Sequence, residues 1–436
     1  MYRKDSIIIE EWLKRSDKAL LVTGARQIGK TWLIREEIAK SGYCKFEVNF
    51  IDQPDLVDYL NVKMSANEFL VKLKMIMPED CKPQETVVFF DEIQKCPEIV
   101  TKIKFLVEEG SFKYVMSGSL LGVELKGITS VPVGYLTVLR MYPMDFEEFL
   151  MAMGEDQLLK LMHSEDYELM NAFHEKLKDY LRQYYYVGGM PEVVKSYVEN
   201  KLLNQVRTIQ NEILSNYASD FSKHAPTQEV PRIDMVWQSI LGQLSKENKK
   251  FVYGVLKKGG RAKEFELAIQ WLVDAGLVYK ITKVTKPELP LKFYEDLSAF
   301  KLYLCDCGLM GAMADTAAKD VLLGDNVFTE YKGAFTEQYV LQQLLASGIT
   351  HIYYYSSDTS RMEMDFLLQR DGALLPIEVK AGTSIKANSL HNFLMEHTDI
   401  SAIRYSMLPY RKQENITNIP LYGVFLQALK WQESGK

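Results

Sequence analysis

The feature that most constrains this chain is a glycine-rich turn set between an apolar run and a helical pattern. Ala19 to Thr23 is apolar and strand-like, and the residues that follow Thr31 have helical spacing. The turn itself reads Gly24-Ala-Arg-Gln-Ile-Gly29-Lys30-Thr31, which matches GxxxxGK[ST]. Glycines in such a turn let backbone N–H groups point inward around an anion, and the helix N-terminus adds its dipole. The pattern therefore predicts a phosphate-binding P-loop.

The P-loop pattern also assigns roles to individual side chains. We expect Lys30 to reach the β- and γ-phosphates of ATP and to serve catalysis, and the Thr31 hydroxyl to bind Mg²⁺. The residues predicted to contact ATP are Gly24, Ala25, Arg26, Gln27, Ile28, Gly29, Lys30, Thr31 and Trp32.

Two acids close a second apolar run, Val87-Val-Phe-Phe-Asp91-Glu92. Asp91, at the C-terminal end of a buried strand, would lie beside the P-loop and hold Mg²⁺ through water. Glu92 is the candidate to orient and deprotonate an attacking water. The pair extends the prediction from nucleotide binding to ATP hydrolysis.

A third strand pattern ends in Met116-Ser117-Gly118-Ser119. Hydroxyl side chains at this edge of the sheet, Ser117 and Ser119, would face the γ-phosphate in a sensor-like role. A plain strand-to-loop turn accounts for the same residues, so both interpretations stay open.

Strands alternate with helices over the first 140 or so residues, which predicts a parallel sheet with helices on both faces. A helical pattern follows, broken by Val187-Gly-Gly-Met-Pro191. From Val236 to Val284 the order is helix, basic turn, helix and strand, which fits a winged helix and also an ordinary small helical module. Residues 246–263 hold seven lysines or arginines with one glutamate, Glu247. This segment is either a DNA contact or a solvated basic face.

The last third of the chain returns to mixed α/β and gathers acidic residues. Glu337 lies on a helix, Asp365 on a strand, and Glu378 and Lys380 on the next strand after a predicted hairpin turn. Residues two apart on a strand share a face, so Glu378 and Lys380 project together. Such a set suits a Mg²⁺-dependent phosphodiesterase, and cross-strand ion pairs are the competing interpretation.

Composition excludes several classes of protein. The net charge of -6 argues against a surface that is basic overall, although it leaves room for a local basic patch. No run of 18 or more apolar residues appears, so we expect no membrane span and a cytoplasmic location. The five cysteines have no metal-binding spacing, and we expect them to be reduced and mostly buried.

Several motifs together resemble a prokaryotic AAA-type ATPase family whose members carry a C-terminal domain of unknown function. They are the P-loop, Phe90-Asp-Glu-Ile-Gln94, Ser117-Gly-Ser119, Tyr142-Pro-Met-Asp-Phe-Glu-Glu-Phe-Leu150, Gly188-Gly-Met-Pro-Glu192 and Tyr217 to Asp220. The resemblance implies an AAA-type fold, ATP and Mg²⁺. Ring-forming relatives add an arginine finger, for which this chain offers no diagnostic motif.

The C-terminal acids resemble the PD-(D/E)xK restriction-endonuclease-like fold, with Glu337, Asp365, Glu378 and Lys380 as the matching residues. Met364 departs from the motif, and Glu363 competes as a ligand. We therefore predict an α/β chain with a core at 1–150, a helical region at 151–232, a winged-helix-like region at 233–325 and a nuclease-like domain at 326–436.

Two functions follow from this organisation. In the first, an ATPase is coupled to a nuclease-like domain that acts on DNA. In the second, the chain is a nucleotide-dependent regulatory or scaffolding switch whose last domain binds a partner or nucleic acid without cleaving it. Expected partners are ATP, DNA and a second copy of the chain.

Overall fold

The computed structural model describes residues 1–118, 134–246, 249–322, 332–357, 362–382 and 388–433. Its contacts divide the chain into two compact units. The first comprises Met1–Tyr142 with the short segment Asp274–Leu277, and the second comprises Pro143–Val273 with Val278–Lys436. Within the described residues no helix combines the length and apolarity that crossing a membrane requires.

The first unit is built on a five-stranded sheet in the order β2-β3-β4-β1-β5, with every strand pair parallel. Its strands are β1 (Ala19–Thr23), β2 (Cys44–Asn49), β3 (Thr86–Asp91), β4 (Lys113–Ser117) and β5 (Leu136–Arg140). Its helices are α1 (Asp5–Arg15), α2 (Lys30–Ser41), α3 (Pro54–Leu60), α4 (Ala66–Ile76) and α5 (Glu98–Glu109). The predicted N-terminal parallel sheet flanked by helices is confirmed.

Strand β3 is the centre of this unit's core because every residue from Thr86 to Asp91 is buried. A parallel sheet covered by helices on both faces needs such an unbroken apolar strand. Phe90 stacks between the rings of Phe50 and Tyr114, with ring centroids 6.1 and 6.4 Å away. This packing holds the C-terminal end of β3, and with it Asp91, in a fixed position.

The expectation that all five cysteines are reduced is wrong for one pair. Cys44, at the start of β2, and Cys81, ahead of β3, form a disulfide with their Cα atoms 5.6 Å apart. The two residues are 37 positions apart in the chain and match no spacing motif, so only the sheet reveals their proximity. The remaining cysteines are free and buried, as expected: Cys96, Cys305 and Cys307.

The second unit contains a mixed eight-stranded sheet in the order β12-β13-β11-β10-β9-β8-β6-β7. Its strands are β6 (Val278–Val284), β7 (Glu295–Leu304), β8 (Tyr353–Ser356), β9 (Glu363–Arg370), β10 (Ala373–Val379), β11 (Ala402–Ser406), β12 (Arg411–Gln413) and β13 (Ile416–Pro420). The predicted hairpin joins β9 to β10, with Asp371 and Gly372 at φ 50° and 75°.

Helices surround this sheet and form the long segment that precedes it. They are α6 (Phe146–Ala152), α7 (Asp156–His163), α8 (Tyr167–Ala172), α9 (His174–Val187), α10 (Pro191–Asn200), α11 (Leu203–His224), α12 (Val230–Leu244), α13 (Tyr253–Leu256), α14 (Ala262–Asp274), α15 (Cys307–Met313), α16 (Ala318–Leu322), α17 (Lys332–Ala346), α18 (Asn388–Glu396) and α19 (Val424–Glu433).

The boundaries expected at 232 and 325 both lie inside the second compact unit. The helix-helix-hairpin order of a winged helix is present in α12, α14, β6 and β7. However, β6 also pairs in parallel with β8, so the would-be wing belongs to the same sheet as the C-terminal strands. Sequence patterns missed this because the strand that joins the two segments is far away in the chain.

The Gly188-Gly189 turn is held by the carboxylate of Asp306, which is fully buried. The Gly189 N–H donates to Asp306 Oδ2 at 2.6 Å, and the Leu309 N–H donates to Oδ1 at 2.9 Å. A Cβ on Gly189 would lie 2.0 Å from the carbonyl oxygen of Met144. The glycine pair in the sequence is therefore explained by close packing of backbone against backbone.

We predict that Gly189→Ala destabilises the second unit by about 2–3 kcal/mol, since backbone atoms must move to admit the methyl group. The matched control is Gly242→Ala in α12, where an added Cβ meets nothing within 4 Å. That change should stabilise by about 0.5–1 kcal/mol because alanine favours a helix interior. Thermal unfolding followed by circular dichroism measures both, and equal midpoints for the two variants would contradict the packing argument.

Candidate nucleotide-binding site

The P-loop backbone adopts the conformation that its glycines predict. Gly24, Gln27 and Gly29 have φ values of 137°, 66° and 90°, which turn the loop tightly between β1 and α2. Gly24 admits no side chain, because a Cβ would lie 2.4 Å from the Met141 carbonyl oxygen and 2.6 Å from Ile28 Cδ1. The loop ends on the N-terminus of α2, whose first N–H groups have no partner within the helix.

Lys30 lies at the start of α2 and is only 7% exposed. Its Nζ donates to the carbonyl oxygens of Gly24 at 3.0 Å and Ala25 at 2.7 Å. Burial lowers the pKa of Lys30 to about 8, and the neighbouring charges of Glu92 and Asp91 oppose that shift. The ammonium group is thus folded into the concave side of the loop.

Asp91 is the hub of the site, at the C-terminal end of β3 and 3% exposed. Its carboxylate accepts hydrogen bonds from the Thr31 hydroxyl at 3.1 and 3.2 Å and from Asn49 Nδ2 at 3.2 Å. The Ser117 hydroxyl and the Glu92 N–H also donate to it, the latter at 3.1 Å. The carboxyl ends of β2, β3 and β4 therefore meet at one edge beside the P-loop.

Glu92 has a left-handed backbone, with φ 56° and ψ 46°, directly after β3. Non-glycine residues in this region are uncommon and cluster at functional sites. Its carboxylate accepts a hydrogen bond from Gln94 Nε2 at 2.5 Å. Sequence reasoning gave no role to Gln94 or to Asn49. The role of Asn49 could have been predicted from the sequence by looking for a polar residue at the end of each parallel strand.

The remaining predicted contacts lie in different surroundings. Ser117 is turned toward Asp91, and Ser119 lies outside the described residues. Arg26 is exposed, and Trp32 is 44% exposed on the first turn of α2. Gln27 Oε1 is buried at the tip of the loop, and no hydrogen-bond donor among the described residues reaches it.

The four residues predicted for the C-terminal site all lie in the second unit. Glu337 on α17 accepts a hydrogen bond from the Tyr303 hydroxyl at 3.0 Å and pairs with Lys249. Asp365 on β9 accepts from the Val379 N–H at 2.7 Å. Burial raises the pKa of Asp365 to about 7, and the charge of Glu337 adds to that rise.

Glu378 and Lys380 form an ion pair at 3.0 Å on one face of β10, as their spacing predicts. Glu378 also pairs with Arg404 at 3.3 Å. Within the described parts of the chain, one group of three acid, cysteine or histidine side chains converges within 4.8 Å, namely Cys44, Asp80 and Cys81. The predicted acids Glu337, Asp365 and Glu378 do not converge in that way.

Three family models match this chain. The model described as an AAA domain matches residues 16–150, which contain the whole P-loop site. The match supports an AAA-type P-loop domain in this part of the chain. Two models that are each described as a domain of unknown function match residues 178–320 (DUF8612) and 332–423 (DUF4143). No curated protein matches the chain.

Solved structures with a similar fold include a Walker-type ATPase of Pyrococcus abyssi, with 10% identity and a TM-score of 0.41 over 72% of this chain and 95% of that one. AMPPCP-bound DnaA from Aquifex aeolicus has 13% identity and a TM-score of 0.30, over 63% and 89%. The RuvB Holliday junction branch migration motor of Thermotoga maritima has 14% identity and a TM-score of 0.30, over 64% and 89%. Likeness at this level supports no conclusion about activity.

The lowered pKa of Lys30 predicts how nucleotide affinity depends on pH. The protonated ammonium binds phosphate, and its pKa of about 8 in the free protein rises when a polyanion binds. Affinity for a fluorescent ATP analogue should therefore be full below pH 8 and fall above it, by up to about tenfold per pH unit. A titration series from pH 7.5 to 9.5 measures this.

Lys30→Arg is the matched control, because a guanidinium group stays protonated throughout that range. The profile of this variant should be flat between pH 7.5 and 9.5, whatever its absolute affinity. The same slope in both proteins would show that another group titrates and that Lys30 does not set the dependence.

Proposed function

We propose that this chain binds ATP with Mg²⁺ and hydrolyses it at the P-loop edge of the first unit. The observation that carries the proposal is the contact between the Thr31 hydroxyl and the Asp91 carboxylate at 3.1–3.2 Å, beside the buried Lys30. These are the side chains that the two sequence motifs assign to the metal and the phosphates. They come from α2 and β3, so the fold brings the two motifs together.

The residues present fit both parts of the ligand. A hydroxyl and a carboxylate are hard oxygen donors of the kind Mg²⁺ prefers, and Asp91 is held by neutral donors that leave its charge available. The turned loop, the helix N-terminus and the Lys30 ammonium together suit a triphosphate. When bound, Mg²⁺ would neutralise charge on the β- and γ-phosphate oxygens.

Each residue then has a distinct task in hydrolysis. Lys30 contacts the terminal phosphates and stabilises the negative charge there. Asp91 and Thr31 would hold the metal, with Ser117 fixing the carboxylate. Glu92 orients the attacking water and accepts its proton, while Gln94 fixes the direction of the Glu92 carboxylate.

Glu92→Gln should abolish turnover and retain ATP, because the amide keeps the shape of the side chain and loses the base. We expect phosphate release to fall by about 10²–10⁴-fold, with ATP affinity changed little. A single-turnover assay alongside a binding titration separates the two effects. Glu85→Gln, an exposed acid at the opposite end of β3, is the control and should hydrolyse normally. Normal phosphate release in Glu92→Gln would remove Glu92 from this role.

For the second unit the geometry favours binding over cleavage. The nuclease hypothesis requires carboxylates free to hold Mg²⁺, whereas Glu337 and Glu378 already pair with Lys249, Lys380 and Arg404. We therefore propose that ATP turnover drives a regulatory switch whose second unit binds a partner. An exposed basic surface, made of Lys257, Lys258, Arg261 and Lys263 at the start of α14, suits DNA as that partner.

If the basic surface contacts phosphates, DNA affinity should fall steeply as salt rises, and Lys258→Glu with Arg261→Glu should reduce the log–log slope by about 2. Lys286→Glu, an exposed lysine in the loop between β6 and β7, is a control for net charge and should leave the slope nearly unchanged. Fluorescence anisotropy with a labelled duplex measures all three proteins.

Cleavage of the same duplex decides between the two functions of the second unit. We expect no Mg²⁺-dependent product in any nucleotide state. Cutting that Lys380→Ala eliminates would restore the nuclease hypothesis. A salt-independent affinity would remove DNA as the partner while leaving the ATPase proposal intact.

A further inference from the structure

Lys249 lies just after α12 and inserts its ammonium against Glu337, a residue 2% exposed on α17. The second carboxylate oxygen of Glu337 accepts the Tyr303 hydroxyl at 3.0 Å. Burial alone would raise the pKa of a carboxyl group, but Lys249 and Lys301 outweigh it and hold the pKa of Glu337 below its ordinary value. Glu337 is therefore an anion with its counter-ion already in contact.

A second lysine lies deeper in the same region. Lys301 on β7 is fully buried, and its Nζ is 3.0 Å from Glu363 Oε1 and 4.7 Å from the centre of the Tyr354 ring. Lys301 and Tyr303 share a face of β7 because they are two residues apart. Glu363 and Asp365 share a face of β9 for the same reason. The acids of β9 thus face a buried cation that sequence spacing could not predict.

The third acid has its own pair of cations. Glu378 is 3% exposed on β10, and Arg404 lies directly opposite it in the register of the parallel pair β10–β11. Arg404 Nε is 3.3 Å from Glu378 Oε2, and Lys380 Nζ is 3.0 Å from Oε1. Both carboxylate oxygens of Glu378 are therefore occupied by positively charged groups.

The cations of this ionic cluster are at least as many as its ionised acids, because burial raises the pKa of Asp365 to about 7. Four acids (Glu337, Glu363, Asp365 and Glu378) accompany four cations (Lys249, Lys301, Lys380 and Arg404) within the described residues. A Mg²⁺ or Mn²⁺ ion needs carboxylates whose charge is not already cancelled. Placing a divalent ion among these groups would require burying net positive charge, which is strongly unfavourable.

We infer that Lys249 and Lys301 supply the positive charge that these acids would otherwise need from a divalent cation, so that this cluster is a metal-free ionic lock. The lock joins the segment after α12 to α17 and β9, which makes the middle and C-terminal segments of the second unit one body. It deepens and rests on the proposed switch function, and it is independent of ATP hydrolysis in the first unit.

The structural role follows from the cost of breaking a buried pair. Removal of one partner leaves an uncompensated charge in a site that water does not reach, whereas removal of both partners leaves neutral groups. A true ion-pair lock therefore has a non-additive signature. An acidic cluster that binds a metal behaves differently. Its carboxylates repel each other, so adding the metal increases the stability of the protein.

The first test is Mn²⁺ binding to the full-length protein without nucleotide, followed by electron paramagnetic resonance. Glu337→Gln should bind the same number of Mn²⁺ ions as the wild type. A stoichiometric ion that the wild type binds and Glu337→Gln loses would overturn the lock. Asp91→Asn identifies any ion held at the P-loop edge, so a failure of the lock and a failure of the proposed ATPase site give different results.

The second test is thermal unfolding of Lys249→Met, Glu337→Gln and the double variant. Lys249→Met should lower the midpoint by roughly 5–10 °C because it leaves Glu337 buried and unpaired. The double variant should recover most of that loss. Lys258→Met, an exposed lysine in the same region, should change the midpoint by about 1 °C or less. Additive effects of the two single changes would contradict the lock.

If Lys249→Met fails to fold, Lys249→Arg provides a second test of the ionic lock. An arginine preserves the positive charge, so this variant should unfold close to the wild-type temperature and bind no additional Mn²⁺. An Mn²⁺-dependent rise in the unfolding temperature of the wild type that Glu337→Gln abolishes would show that a metal, and not the lysines, stabilises the cluster.

Discussion

The site in the first unit depends on a single carboxylate placed at the end of a buried strand. A buried carboxylate without hydrogen-bond donors is unfavourable, and Asp91 receives donors from Thr31 on α2, Asn49 on β2 and Ser117 on β4. The strands β2 and β4 flank β3 in the sheet, and α2 follows the P-loop that leaves β1. The strand order and the conformation of the P-loop therefore together determine which donors reach Asp91. Moving β2 or β4 would remove one of the donors to this buried carboxylate.

Sequence patterns predicted those features of the site that depend on neighbouring residues in the chain. The P-loop and the two acids after β3 are each contained in a few consecutive residues, so their spacing predicted the tight turn of the P-loop and the position of Asp91 beside it. The role of Asn49 was not predicted, because it depends on β2 lying beside β3. No short segment of the sequence specifies that pairing. For Ser117 the sequence left a sensor-like role and a plain turn open, and it did not predict that the hydroxyl donates to Asp91. The Cys44–Cys81 disulfide was missed for the same reason as Asn49.

The second unit shows the same division between local and distant information. Alternating patterns predicted the β9–β10 hairpin, and the two-residue spacing predicted that Glu378 and Lys380 share a face. The ionic lock also needs cations from segments that are distant in sequence from the acids they pair with. These cations are Lys249, Lys301 and Arg404. The sheet that gathers them crosses the boundary expected near residue 325. A motif of acids specifies where negative charge lies, and only the fold specifies what neutralises it.

The two acidic sites of this chain differ in one physical respect that decides their chemistry. Asp91 is satisfied mainly by neutral donors, two hydroxyls, an amide and a backbone N–H, which meet its hydrogen-bonding needs and leave its charge in place. Glu378 is satisfied by an ammonium and a guanidinium group, and Glu337 by an ammonium group beside the Tyr303 hydroxyl, so that cations cancel the charge of both. A divalent cation is attracted to the first arrangement and repelled by the second. The identity of the donors around a buried carboxylate, neutral or cationic, therefore separates an acid that can hold a metal from one that holds the fold together.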